Sequence, residues 1–179
     1  MVYIILGEGF EPVEALAPCD ILRRGGVEVK LAGIGGLCIT GGHGIRVCAD
    51  CTVEEINEKD LEMIVLPGGL GGVQSILGCD RALQILQNAY HSDRLIAAIC
   101  AAPTVLAKLG MTDGKNATCY PGCEDQMAGA STQAKPCVRD GRIITGQAAG
   151  ASFAFGLELL RALRGEQVMQ KVKSGMVID

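Results

Sequence analysis

Apolar runs recur along the chain, each closing on glycine or cysteine, with amphipathic stretches between them. The first, Val2–Leu6 (VYIIL), is followed by Gly7 and Gly9 and lacks polar alternation, which predicts a strand buried on both faces. PVEALAPCDILRRGG (12–26) sets Val13, Leu16, Ala17 and Ile21 in a helical rhythm, with Pro12 in the first turn and Gly25-Gly26 as the stop. Pro18 is expected to kink that helix. VEVKLAGI (27–34) alternates as a second strand, and LCITGGHGIRVCAD (37–50) places glycines between two β-like runs, a hairpin pattern. EMIVLPGG (62–69) and LIAAIC (95–100) predict two more buried strands, with helices at Asp80–Tyr90 and at APTVLAKLG (102–110). NATCY (116–120) predicts a short strand, and KPCVRDGRIITG (135–146) a hairpin turning at Asp140-Gly141. GASFAFGLELLRALRG (150–165) is the longest clear helix, and Glu166–Lys173 a last one.

Strands alternating with helices imply an α/β sandwich, a mostly parallel sheet with helices on both faces. No linker or repeat interrupts the pattern, so one domain is expected over residues 1–179. Composition narrows the function. Hydrophobic residues at 49% with 20% charged suit a soluble globular chain. A net charge of −4 gives no basic face for nucleic acid, and three Phe, three Tyr and no Trp give no base-stacking platform. No apolar run approaches the ~20 residues of a membrane span. MVYIILGEGF has neither a basic leader nor a cleavage site and reads as a strand, so a cytoplasmic location is expected. Nine cysteines, an odd number in a chain with an ample core, read as reduced thiols rather than a disulfide framework.

In such sheets ligands sit beyond the carboxyl ends of the strands. Three strand ends carry chemistry: Gly7–Glu14, Pro67–Gly69 and Cys100. Cys100 stands where a strand turns at once into a helix, between Ala97-Ala98 and Ala101-Ala102, and small flanks admit a substrate. Amides of the first helical turn and the helix dipole are expected to lower its thiol pKa. A nucleophile needs a proton partner. The two histidines, His43 and His91, lie in the hairpin and at a helix end, so a Cys-His triad is poorly supported. Glu14 has two readings from the residues alone: a solvated acid complementing the helix start, or a buried carboxyl raised in pKa that hands a proton to the thiolate. Cys38, His43, Cys48 and Cys51 have a zinc-like spacing, but residues three apart on a strand face opposite sides, so no metal is expected. PGGLGG lacks the lysine of a phosphate loop, and no cofactor is expected.

The motifs GFEPVEALAPCDILRRGG, VLPGGLGG, IAAICAAPTVLA and DGRIITGQAAGASFAFGLELL together resemble the ThiJ/PfpI superfamily, in the branch of the parkinsonism-associated protein deglycase and its bacterial relatives. The resemblance covers nearly the whole chain. It implies a flavodoxin-like three-layer fold and a homodimer, with Cys48 on a hairpin near the dimer interface. By the same resemblance Cys100 is an oxidisable nucleophile and Glu14 the protonated acid touching it. Gly68, Gly69, Ala101 and Tyr120 would line the anion and substrate site, and Asp20 would support it from the same helix as Glu14. The chain departs from the pattern at Ala102, where the family often has glycine, and at Tyr120 and His43, where some relatives carry histidine and arginine. The implied activity is a glyoxalase or deglycase reaction on small 2-oxoaldehydes such as methylglyoxal. The alternative is a non-catalytic sensor or redox-regulated chaperone whose Cys100 is oxidised to the sulfinic acid.

Overall fold

A computed structural model describes residues 1–178 of the chain. Its first half runs β1 (Val2–Leu6), α1 (Pro12–Arg24), β2 (Val29–Gly33), a hairpin of β3 (Cys38–Thr40) and β4 (Arg46–Cys48), β5 (Cys51–Thr52), β6 (Met63–Leu66), α2 (Leu70–Leu77) and α3 (Asp80–His91). The second half runs β7 (Leu95–Ile99), α4 (Pro103–Lys108), β8 (Asn116–Ala117), β9 (Ser131–Thr132), β10 (Cys137–Asp140), β11 (Ile143–Gly146), α5 (Ser152–Arg164) and α6 (Glu166–Gly175). The main sheet has the order β10-β11-β7-β6-β1-β2-β5. All its neighbours are parallel except β10, which turns back on β11.

The pleat divides the core in two. Val2, Ile4 and Leu6 of β1 face α1, α5 and α6, whereas Tyr3 and Ile5 face α2, α3 and α4. Because both faces are covered, the strands read as unbroken apolar runs. This is the expected flavodoxin-like three-layer sandwich. On one side α1 and α5 approach closely at Gly156, where an added Cβ would lie 2.7 Å from Ile21 Cδ1 and 3.0 Å from Pro18 Cα.

Several local expectations change. The α1 helix runs unbroken through Pro18; the helical bond that proline cannot donate is the one to the Glu14 carbonyl. The α5 helix has 13 residues, no more than α1. NATCY is extended only at Asn116–Ala117, because the Thr118 amide turns to Thr145 Oγ1 (2.8 Å) and the Tyr120 amide to the Cys100 carbonyl (2.7 Å). The α2 helix went unforeseen, since Gly71 and Gly72 inside it each weaken a helix by ~1 kcal/mol. Tertiary contact explains both glycines: a Cβ on Gly71 would lie 2.8 Å from Glu8 O, and one on Gly72 2.8 Å from Phe10 Cα. Among the described residues no helix is long and apolar enough to cross a membrane.

Candidate active site

Four parallel strands, β1, β6, β7 and β11, deliver their carboxyl ends to one place. A pocket of about 360 Å³ opens there, lined by Glu11 and Glu14 after β1, Gly69 and Leu70 after β6, Cys100 and Ala101 after β7, and Ala148–Gly150 after β11. Tyr120 and Cys123 close the remaining side. A larger hollow of about 500 Å³ between the end of α1 and α6 is lined by no carboxylate, thiol or hydroxyl.

Cys100 is the junction residue. Its φ of 67° lies in the left-handed region, which costs a non-glycine residue about 1–2 kcal/mol. The strain has a local cause: the Cys100 amide still pairs with Gly146 O (3.0 Å) while its carbonyl already accepts from Tyr120 N (2.7 Å). The backbone is therefore held on both sides of a sharp turn, and the side chain stands half-buried at the pocket floor. Cys100→Gly should melt higher than Cys100→Ala, by about 1 kcal/mol in urea unfolding, because only glycine relaxes there without strain. Equal stability would mean the turn is unstrained.

The helix after Cys100 does not do what the sequence suggested. It begins only at Pro103 and has six residues, and the Ala102 amide is bound to Ile99 O (3.1 Å). Burial first, then the Glu14 charge and hydrogen bond, push the Cys100 thiol up to about 12. The amides of Ala101 and Gly69 pull the other way, each reaching the sulfur. The expected lowering by the helix is thus overturned: desolvation outweighs two amides.

Glu14 settles into its buried reading, with no solvent exposure. The Gly68 amide donates to Oε2 at 2.8 Å, and Oε1 is buried without a partner of ordinary geometry. Burial raises its pKa to about 7, against the pull of the Gly68 and Cys100 hydrogen bonds. Near neutral pH this carboxyl exchanges its proton readily, and the same proton is within reach of the thiol. When Glu14 holds it, the charge that disfavours the thiolate vanishes and the carboxyl becomes a donor toward sulfur.

The other expected residues divide. Gly69 and Ala101 line the pocket with amides on the sulfur, and Tyr120 lines it half-exposed. Gly68 does not line it: its amide is committed to Glu14, and its carbonyl accepts from Glu11 N (3.0 Å). It positions the acid rather than binding an oxyanion. Asp20 is exposed and paired with Arg24 at 2.8 Å. Six residues from Glu14 place it about 120° away around the helix, turned to solvent, so it does not support the acid. His43 and His91 are both exposed and away from the pocket. Of the zinc-like set, Cys38 and Cys48 face each other across the hairpin while Cys51 is buried in the main sheet. Sequence reasoning missed Glu11, Cys123 and Ala148–Gly150. The last could have been found from its place after the strand IITG. Cys123 could not, because a turn from Tyr120 brings it in.

Residues 1–162 match the DJ-1/PfpI family. The chain is similar to protein dj-1beta of Drosophila melanogaster, 34% identical over 98% of this chain and 95% of the other. It is also similar to a protein named a deglycase from Pyrococcus abyssi, 32% identical over 91% of this chain and 99% of that one. The crystal structure of Drosophila melanogaster DJ-1beta superposes with a TM-score of 0.93 at 33% identity, covering 99% of this chain and 97% of the other.

Proposed function

Because the chain belongs to the DJ-1/PfpI family, we propose that it is a cofactor-independent glyoxalase or deglycase acting on 2-oxoaldehydes such as methylglyoxal, or on their adducts. The observation that carries this reading is the placement of Glu14, whose pKa burial raises to about 7, beside Cys100 at the pocket floor: a Cβ added at Gly68 would lie 2.6 Å from Cys100 Cβ and 2.7 Å from Glu14 Oε2. The similar archaeal protein named a deglycase supports the same class of chemistry.

The Cys100 thiol passes its proton to the Glu14 carboxylate as its sulfur attacks the aldehyde carbon, and Glu14 hands that proton to the oxygen, giving a hemithioacetal. The Glu14 carboxylate then removes the proton on that carbon and returns it to the neighbouring carbon, while the hemithioacetal hydroxyl proton passes to the ketone oxygen. One carbon is oxidised to the thioester level while the ketone becomes an alcohol. Water cleaves the carbon–sulfur bond, releasing a 2-hydroxy acid and the thiol, so the net change is addition of one water. The amides of Gly69 and Ala101 stabilise the oxyanion; a lost donor of this kind typically raises a barrier by ~3 kcal/mol. A pocket of about 360 Å³ holds a small aldehyde with room for an adduct.

One further observation favours a second reading. A sulfinate on Cys100 would find the Ala101 and Gly69 amides and the Glu14 proton already aimed at it, as an oxidation sensor requires. One experiment separates the two. Protein given methylglyoxal should consume it and yield lactate. Negligible hydroxy acid, with peroxide adding two oxygens at a single cysteine, would overturn the enzyme reading in favour of the sensor.

As a partner we propose a second copy of this chain. Val13 and Leu16 on α1 and Ile45 on the hairpin leave large apolar side chains exposed, and the hairpin is tied to the start of α1 through Gly42 N to Phe10 O (2.7 Å). An odd count of nine cysteines in a chain with an ample core fits reduced thiols and a cytoplasmic location.

A further inference from the structure

The hairpin of β3 and β4 stands apart from the main sheet and carries two cysteines in register, both exposed in the single chain, on the element that the proposed second copy would adjoin at Ile45. Cys38 lies directly opposite Cys48, with Ile39 opposite Val47 and Thr40 opposite Arg46. The ladder fixes which kind of pair this is. Ala49 N donates to Leu37 O and Gly41 N to Ile45 O, both at 2.7 Å, so the pairs on those rungs are the hydrogen-bonded ones. Rungs alternate along an antiparallel ladder, which makes Cys38–Cys48 a non-hydrogen-bonded pair. Such pairs bring their Cα atoms to ~4.5 Å, at the close end of the separations disulfides span. The pleat sets direction as well: Ile39 is buried and Val47 packs beside it against the core, so both cysteines project from the opposite, outer face. Cys51, three residues beyond, is buried in β5 and does not compete.

We propose that Cys38 and Cys48 form a reversible dithiol–disulfide pair, a redox modification site separate from the Cys100 pocket. A small-molecule disulfide is the co-reactant. The thiolate of one cysteine attacks it and releases one thiol; the facing cysteine then attacks the mixed disulfide and releases the second. The protein loses two protons and two electrons, and the small disulfide is reduced to two thiols. Exposed disulfides of this kind are the readily reduced ones, so the pair opens again in excess thiol. The hairpin it would clasp also holds the loop that leads to Glu14: Gly9 N donates to Thr40 O (2.7 Å), and the Glu8 carboxylate accepts from Thr40 N (3.1 Å).

The test treats the whole protein with oxidised glutathione, traps remaining thiols by alkylation in denaturant, and maps the peptides by mass. The expected result is the loss of two of the nine thiols, in a single chain, with peptides 38 and 48 joined and lighter by two hydrogens. Dithiothreitol should restore both. Cys38→Ser and Cys48→Ser should each abolish closure, whereas Cys100→Ser should retain it. Persistent free thiols, glutathione left singly on either cysteine, or a disulfide joining two chains on a non-reducing gel would each overturn the proposal.

Discussion

Glu14→Gln should turn methylglyoxal into hydroxy acid roughly two to four orders of magnitude more slowly than wild type, while gaining stability relative to it as pH rises. The two effects have one origin. A carboxyl with no solvent exposure is costly to ionise, and its pKa stands near 7 instead of the ordinary 4.5. In the proposed reaction that position lets it give and take a proton, which an amide cannot do. It also links folding to pH. Below pH 4.5 the acid is neutral in both folded and unfolded chains. Between 4.5 and 7 the unfolded chain releases the proton while the folded chain keeps it, so stability falls as pH rises. Above 7 the whole cost, about 3 kcal/mol, has been incurred. Glutamine does not titrate, so the melting difference between variant and wild type should widen from pH 4 to 8 and then level off. A difference that does not move with pH would show that Glu14 is not a raised acid. Unchanged lactate formation would remove it from the chemistry. Cys100→Ser should lose turnover to at least the same degree, because a serine hydroxyl in that setting is a far weaker nucleophile than a thiolate.

Gly69→Ala is expected to be the most damaging single methyl in the site. Gly69 has φ 83°, and an added Cβ would lie 2.4 Å from Gly9 O, 2.8 Å from Glu11 N and 2.9 Å from Phe10 C. All three are backbone atoms, so no side chain can swing aside. Left-handed strain of about 1–2 kcal/mol adds to overpacking of about 1–3 kcal/mol. The loop being displaced is the one that leads into α1 and Glu14, so activity should fall together with stability. Gly26→Ala is the control: its φ is 72° and its surroundings are open, so it carries the strain alone. Urea unfolding should place Gly69→Ala well below Gly26→Ala; equal losses would mean that the close approach of the two loops is not what demands glycine.

Much of this was legible along the chain because burial on two faces leaves a simple mark. VYIIL, MIVL and LIAAI can only be strands between helical layers, and their carboxyl ends then had to share one edge of the sheet. That placed Cys100, Gly69 and Glu14 in one neighbourhood. The hairpin was legible from its glycines. The α2 helix was not, since Gly71 and Gly72 contradict helix propensity and are explained only by the loop pressed against them.

The sequence by itself determined the layers, the edge of the sheet that carries the candidate site and the cysteine at its centre, because these follow from local periodicity and from residue type. Only the tertiary structure decided the balance of charge at the sulfur. Desolvation is a property of everything packed around a group, and it reversed the expected effect of the following helix on Cys100. It likewise chose between the two readings of Glu14, sent Asp20 to solvent, and turned the Gly68 amide from the substrate to the acid. Register, a relation between segments distant along the chain, is what set Cys38 opposite Cys48.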